Sequence, residues 1–327
     1  MTLSLKSVSS LHLESKLGGT TMEQQTILVD GHEVDISNWS KVLWPETGFT
    51  KGDLVRYYSQ AAPYLLPHLR DRPLTVTRFP HGIQGAWFYQ KNCPQYAPDF
   101  VETIAVTSDK DKPEKTINYI LVQNRPTLVW LANQACIELH PWLSLYTRPQ
   151  YPDWLVFDLD PAEGSTFDDT REIAFLVKKA LSELGLSSHP KLSGATGIHI
   201  YVSIQPKYTY ETTSGFVGNI GKIIESVYPA KVTTERLVKH RGGRVYVDHL
   251  QNLLGKTLAA PYSPRPLPHA PISTPVSWAE LESVYPHQFH LGNILERLQA
   301  TADLFAPLLT KSQSLDSALA DLGAPVS

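Results

Sequence analysis

The sequence predicts an α/β (α+β) fold with central mixed sheets flanked by helices. Strand-like and helix-like periods alternate through the second half of the chain, and the first half ends in a strand–helix–strand run. The stretch PDWLVFDLDPAEG, residues 152–164, closes an apolar strand with two carboxylates, Asp158 and Asp160. Side chains alternate along a strand, so both acids share one face while Phe157 and Leu159 point into the core.

Residues 26–44 read as short strands and a turn. A helix follows in residues 50–69: Thr50 is its N-cap, Asp53 lies in its first turn, and Leu54, Tyr57, Tyr58 and Ala61 form its apolar face. RPLTVTRFP and AWFYQKN read as strands bounded by Pro and Gly. Residues 116–142 give a strand, a helix starting near Thr127, and an extended IELHPW. Beyond the 154–159 strand, residues 166–186 form an amphipathic helix on Ile173, Leu176, Val177, Ala180, Leu181 and Leu184, stopped by Gly185. HPKLSGATGIHIYVSI supplies a turn and a strand, residues 209–228 a second helix, and GGRVYVDHL another strand. The tail beyond about residue 290 is helical.

The chain is expected to comprise a loose tail (1–25, with Met22 an alternative start), an α/β module (26–150), a second module (151–300) and a helical tail (301–327), all in one compact domain. No run of about 18 apolar residues predicts a membrane span. No signal peptide is evident. Cys93 and Cys136 are expected as reduced thiols of a cytoplasmic protein, and no Cys/His cluster suggests zinc. The net charge of −3 does not advertise nucleic acid, yet residues 231–265 hold seven Lys/Arg against two acids, Glu235 and Asp248. That field suits phosphate, or simply a solvated loop.

Like charges on one strand face repel unless a cation neutralises them, and hard oxygen ligands suit Mg²⁺ or Mn²⁺. The alternative is that the acids cap the next helix or lie in solvent. Asp248, after the alternating run Val245–Tyr246–Val247, offers a third carboxylate on a neighbouring strand. Three such acids suit two metal ions in phosphoryl transfer. In SGATGIHIYV, Ser193, Gly194 and Gly197 make a loop whose N–H groups suit a phosphate, and His199 follows. Haloacid-dehalogenase-like phosphatases also end a strand with DxD. Here the further acids, Asp168 and Asp169, fall too near, and Asp248 precedes His rather than a second Asp.

Taken together, VFDLDP, SGATGIHIYV and the segment RGGRVYVDHLQN through APYSPRPLPHAP resemble the polymerase domain of bacterial ligase D, a branch of the archaeo-eukaryotic primase superfamily. Upstream, residues 40–92 are similar to that family's N-terminal part, so the resemblance covers roughly residues 27–300. It implies a primase-like fold with an RRM-like catalytic module. The implied activity is gap filling or end extension in non-homologous end joining or related repair, with ribonucleotides preferred. No ligase signature and no nuclease histidine motif is seen, so a stand-alone, nucleoid-associated polymerase is expected. De novo priming and non-catalytic DNA-end bridging are the alternatives.

The resemblance assigns Asp158, Asp160 and Asp248 to two Mn²⁺ or Mg²⁺ ions and to catalysis. It assigns His140, Ser193, Gly194, Thr196, His199, Gln251 and Arg265 to the incoming nucleotide; many relatives carry Lys where this chain has Thr196. Lys41 and Lys51 resemble a pair that binds the 5′-phosphate of a downstream strand. Arg78, Trp87 and Phe88 match template contacts, Phe88 as a base-stacking aromatic. On residue chemistry alone, the lysines read equally as ordinary surface residues and the aromatics as core. The implied partners are DNA gaps or broken ends, rNTPs or dNTPs, a Ku-like end-binding protein and a separate DNA ligase.

Overall fold

A computed structural model of the chain describes residues 23–107 and 116–323. Most of the expected N-terminal tail, Met22 and the last residues of the C-terminal tail lie outside the described residues.

Two five-stranded sheets organise the molecule. The chain opens with the hairpin β1 (Gln24–Val29) and β2 (His32–Ser37), then the short pair β3 (Val42–Trp44) and β4 (Phe49–Thr50). Helix α1 (Lys51–Leu69) starts at Thr50, whose hydroxyl accepts from the Asp53 amide while Asp53 accepts from the Thr50 amide. This reciprocal cap satisfies donors that the first helical turn leaves free.

The first sheet contains β5 (Leu74–Arg78), β6 (Phe88–Gln90), β7 (Glu102–Thr107), β8 (Thr116–Leu121) and, after α2 (Arg125–Asn133), β9 (Cys136–Pro141). Helix α2 begins earlier than the sequence predicts. Asn124 caps it by accepting from the Thr127 amide, and Pro126 occupies the first turn, where its missing N–H costs nothing. Strand β7 was not expected.

The second sheet has the order β11 (His189–Leu192), β12 (Ile198–Ser203), β10 (Trp154–Pro161), β14 (Val245–Asp248), β13 (Val232–Thr233). All its pairs are antiparallel except β13 with β14. Strand β11 makes the predicted turn-and-strand a hairpin. Helices α3 (Phe167–Glu183) and α4 (Tyr210–Val227) cover one face, packing Ile173, Val177, Leu181, Phe216, Val217 and Ile220 against Leu155, Phe157 and Leu159 of β10. Asp168 and Asp169 lie in the first turn of α3, where Asp169 completes a capping box with Thr166.

The opposite face of β10 is divided along its length. Trp154 and Val156 are buried with Tyr201, Phe305 and Leu308, while Asp158 and Asp160 continue the same side of the strand. Residues 260–298 return to the first sheet, burying Ala260, Tyr262, Ile272 and Ile294 in its core. The chain ends in α5 (Ile294–Thr301), α6 (Ala306–Thr310) and α7 (Asp316–Asp321), in line with the helical tail read from the sequence.

Candidate active site

Strand register builds the site. Asp158 stands opposite His199 on β12 and opposite Asp248 on β14. Lys191 on β11 stands opposite His199. Directly opposed residues share a face, so Lys191, His199, Asp158 and Asp248 form one row across four strands. Asp160 lies two residues along from Asp158 on the same face, opposite Tyr246.

Asp158 is buried, and its Oδ1 accepts no hydrogen bond, although His199 Nε2 lies 3.3 Å away. Burial, followed by the charges of Asp160 and Asp248, pushes the Asp158 carboxyl well above its ordinary value, against the pull of Lys191 and Arg265. Asp160 is raised by burial and by Asp248, against Arg241 and Arg265. Asp248 is held by three donors: Tyr246 OH at 3.0 Å and the Leu250 amide at 3.0 Å on Oδ1, and Gln251 Nε2 at 3.3 Å on Oδ2. Among the described residues, no three His, Cys, Asp or Glu side chains make up a ready-formed metal-ligand set. The donor set nevertheless fits hard cations. It offers adjacent carboxylates that no Lys or Arg pairs directly among the described residues, one of them with an unused buried oxygen.

Beside the acids lies a cavity of about 160 Å³ lined by His140, Asp158, Asp160, Ser193, Thr196, His199 and Arg265, together with the 257–259 segment. Ser193 Oγ accepts from the amides of Ala195 and Gly197, which shapes the loop between β11 and β12. Gly197 is required there: a Cβ would stand 2.5 Å from Leu159 O and 3.2 Å from Asp160 Oδ1. Gly194 has a φ of +77°, and a Cβ on it would meet Arg265 Cγ at 2.8 Å. Gly194 therefore lets Arg265 approach, and Arg265 Nη1 donates to Ser193 O at 2.5 Å.

Glu138, which the sequence reading passed over, joins two walls of the cavity. Its Oε1 accepts from Arg265 Nε at 2.8 Å, and its Oε2 lies 3.4 Å from His140 Nε2. Burial alone would raise this carboxyl, but His140, Arg265 and Thr77 outweigh it and hold it at about 2. Seven of the ten expected catalytic and nucleotide residues thus line one cavity. The other three stand behind it: Gly194 supports Arg265, and Gln251 binds Asp248.

The expected DNA contacts lie at the start of β3 and of α1 (Lys41 and Lys51), at the end of β5 (Arg78) and at the start of β6 (Trp87 and Phe88). The Lys51 amide donates to Lys41 O at 2.8 Å, which sets the two lysines side by side. Lys51 is 6% exposed, so it is not the ordinary surface lysine that its type suggests. Its Nζ lies 3.4 Å from both Ser37 Oγ and Asn133 Oδ1. Among the described residues, no carboxylate pairs with Lys41 or Lys51. Burial, then the charges of Lys41 and Arg78, lower Lys51 from 10.5 to about 8.

Trp87 and Phe88 are exposed, not core. Trp87 stacks on Phe79 at 6.0 Å and meets Tyr89 edge-on at 5.3 Å; Tyr89, also exposed and not expected, leads on to His140 at 6.4 Å. Arg78 lies 5.4 Å from the Phe88 ring centroid, its guanidinium bonded to Gln134, Gln90 and Tyr96. No helix among the described residues is long and apolar enough to cross a membrane.

Comparison with known proteins agrees with this geometry. A family model described as LigD, primase-polymerase domain matches residues 50–305. The bifunctional non-homologous end joining protein LigD of Bacillus subtilis (strain 168) is 34% identical over 270 residues, 82% of this chain and 43% of that protein. The multifunctional non-homologous end joining protein LigD of Mycolicibacterium smegmatis is 33% identical over 277 residues, 84% of this chain and 36% of that protein. The chain therefore spans less than half the length of these relatives. The solved polymerase domain of Mycobacterium tuberculosis ligase D, in complex with DNA, superposes with a TM-score of 0.78 at 30% identity, covering 86% of this chain and 99% of that one.

Proposed function

Since this chain belongs to the LigD primase-polymerase domain family and shares its primase fold, we propose that it is a DNA-dependent nucleotidyltransferase that fills short gaps or extends broken ends. The observation that carries this reading is the row of acids, Asp158 buried and Asp160 and Asp248 half-buried, beside a cavity with basic and hydroxyl walls. One end of the site calls for cations and the other for a triphosphate.

Asp158, Asp160 and Asp248 would hold two Mn²⁺ or Mg²⁺ ions. Ions bound there supply Lewis-acid chemistry, acidifying the primer 3′-hydroxyl and stabilising charge on the departing pyrophosphate. Tyr246, Leu250 and Gln251 orient Asp248 toward that task. Arg265, fixed by Glu138, and His199 and Ser193 face the triphosphate, and His140 stands at the side where the sugar would sit. Lys41 and Lys51 receive the 5′-phosphate across a gap, and Phe88 stacks on a template base. Ribonucleotide preference, and work alongside a Ku-like protein and a ligase, belong to the same reading.

Extension of a gapped template with each rNTP and dNTP, in Mn²⁺ and in Mg²⁺, tests it. Template-directed incorporation that disappears in Asp158→Ala and Asp160→Ala is the expected result. Undiminished incorporation by either variant overturns the mechanism, and assays with and without a supplied primer separate gap filling from de novo priming.

A further inference from the structure

Behind the cavity lies a buried lysine that the nucleotidyl-transfer reading leaves without a task. Lys191 is 0% exposed. Its Nζ stands 2.9 Å from Ala259 O and 3.0 Å from His199 Nδ1, and it donates to Ser273 Oγ. Among the described residues, no carboxylate pairs with it. Burying an ammonium in this way costs several kcal/mol, and an apolar side chain would fill the space at less cost.

The row across the sheet shows what the lysine does. Lys191 opposes His199, which opposes Asp158, which opposes Asp248. An ammonium carries three donors and no acceptor. Ala259 O accepts one proton. Ser273 Oγ accepts another, because its own hydroxyl donates to Leu192 O at 3.2 Å. The third proton meets His199 Nδ1. Nδ1 must then carry the lone pair, so the ring proton sits on Nε2, which faces the cavity and Asp158. A neutral amine can keep the same contact, accepting from the Ser273 hydroxyl and giving its two protons to Ala259 O and Nδ1.

We propose that Lys191 is a positioning residue that fixes His199 as an Nε2–H donor directed into the cavity. His199 then presents a donor of fixed direction on the cavity side. The link from Lys191 to triphosphate binding rests on the polymerase reading; the tautomer does not.

The test is long-range ¹H–¹⁵N correlation of the histidine rings in the full chain, with His199 assigned through His199→Gln. The wild type should show a protonated Nε2 and an unprotonated, hydrogen-bonded Nδ1. Lys191→Met should give a mixed or Nδ1–H ring and raise KM for the nucleotide by roughly tenfold with a smaller change in kcat, as loss of a charge-assisted contact implies. Lys191→Gln, which keeps a donor, should restore the Nε2–H pattern and most of the affinity. A wild-type His199 protonated on Nδ1 overturns the assignment whether or not any variant folds. So does a Lys191→Met protein that keeps the wild-type tautomer and KM, or a Lys191→Gln ring like that of Lys191→Met. If the wild type incorporates no nucleotide, the polymerase reading fails, while the tautomer still decides the role of Lys191.

Discussion

The acid row on the second sheet and the lysine pair beside α1 are built on opposite plans. In the first, burial and then the neighbouring acids raise the proton affinity of Asp158 and Asp160, inside a sheet whose register leaves Asp158, Asp160 and Asp248 no freedom to separate. In the second, burial and then Lys41 and Arg78 depress Lys51 at the junction of a short strand pair and a helix, where a backbone hydrogen bond sets Lys41 beside Lys51. Each region gathers charge of one sign, although Lys191, Arg265 and Arg241 stand near enough to pull on the acids. Stability alone would pair or remove such charges, so each reads as a receptor for an ion of the missing sign. The difference lies in tolerance: metal ligands need fixed geometry, which strands supply, whereas a terminal phosphate accepts any nearby cation.

The largest expected effect comes from relieving the acid row. Asp158→Asn should lower nucleotide incorporation at least about a thousandfold, which roughly 4 kcal/mol of lost transition-state stabilisation produces. It should also raise the stability of the metal-free protein by about 1 kcal/mol, because a neutral amide removes the repulsion. Primer extension and chemical denaturation measure the two halves. If activity falls and stability falls with it, the acids are structural and the contrast with the lysine pair dissolves.

A smaller effect is expected at the lysine pair. Lys41→Ala/Lys51→Ala should bring the affinity ratio for 5′-phosphorylated over unphosphorylated gaps close to one. The wild-type ratio should exceed it by roughly 10-fold to 100-fold, the range of one or two charge-assisted contacts. Binding measured by fluorescence anisotropy at fixed salt decides, and equal ratios in wild type and variant would falsify the phosphate pocket. Smaller again is Phe88→Ala, which should weaken binding of a single-stranded template by about 1–3 kcal/mol. A loss confined to Trp87→Ala would transfer the stacking role to the face that Trp87 shares with Tyr89.

What the sequence made legible follows from the same contrast. A period of two placed Asp158 and Asp160 on one side, and the run ending at Asp248 implied its companion strand, because strand geometry is local. The SGATG loop reads as amides open to a phosphate, yet the Ala195 and Gly197 amides turn to Ser193 Oγ and Gly197 packs against Leu159 and Asp160. Lys191 and Glu138 were not legible. Each is an ordinary charged residue in sequence, and only the return of residues 257–273 over both sheets buries them. The burial of Lys51 was hidden for the same reason, since Ser37 and Asn133 arrive from distant segments. Strands β7 and β11 were missed because their pairing is tertiary: β7 needs β8, and the polar HPKL of β11 gives no alternating signal.

The smallest predicted effect separates the two regions by pH. Lys51 titrates near 8 in the folded protein against 10.5 for an ordinary lysine, first because it is buried and then because Lys41 and Arg78 face it. A base whose folded value is depressed binds fewer protons folded than unfolded between those limits, so stability rises with pH across them. Below about pH 8, both states are protonated and the penalty is present in full. The wild type should therefore gain stability relative to Lys51→Met between pH 8 and pH 10.5, and the two should run parallel below pH 8. Denaturant titrations at half-unit steps read the difference. Adding a gapped duplex with a 5′-phosphate supplies the missing charge and should flatten the gain, because a bound phosphate restores the proton affinity of the lysine. Parallel curves across the whole range would mean that Lys51 keeps an ordinary affinity for its proton. The phosphate face would then be a solvated patch, unlike the acid row in depth as well as in sign.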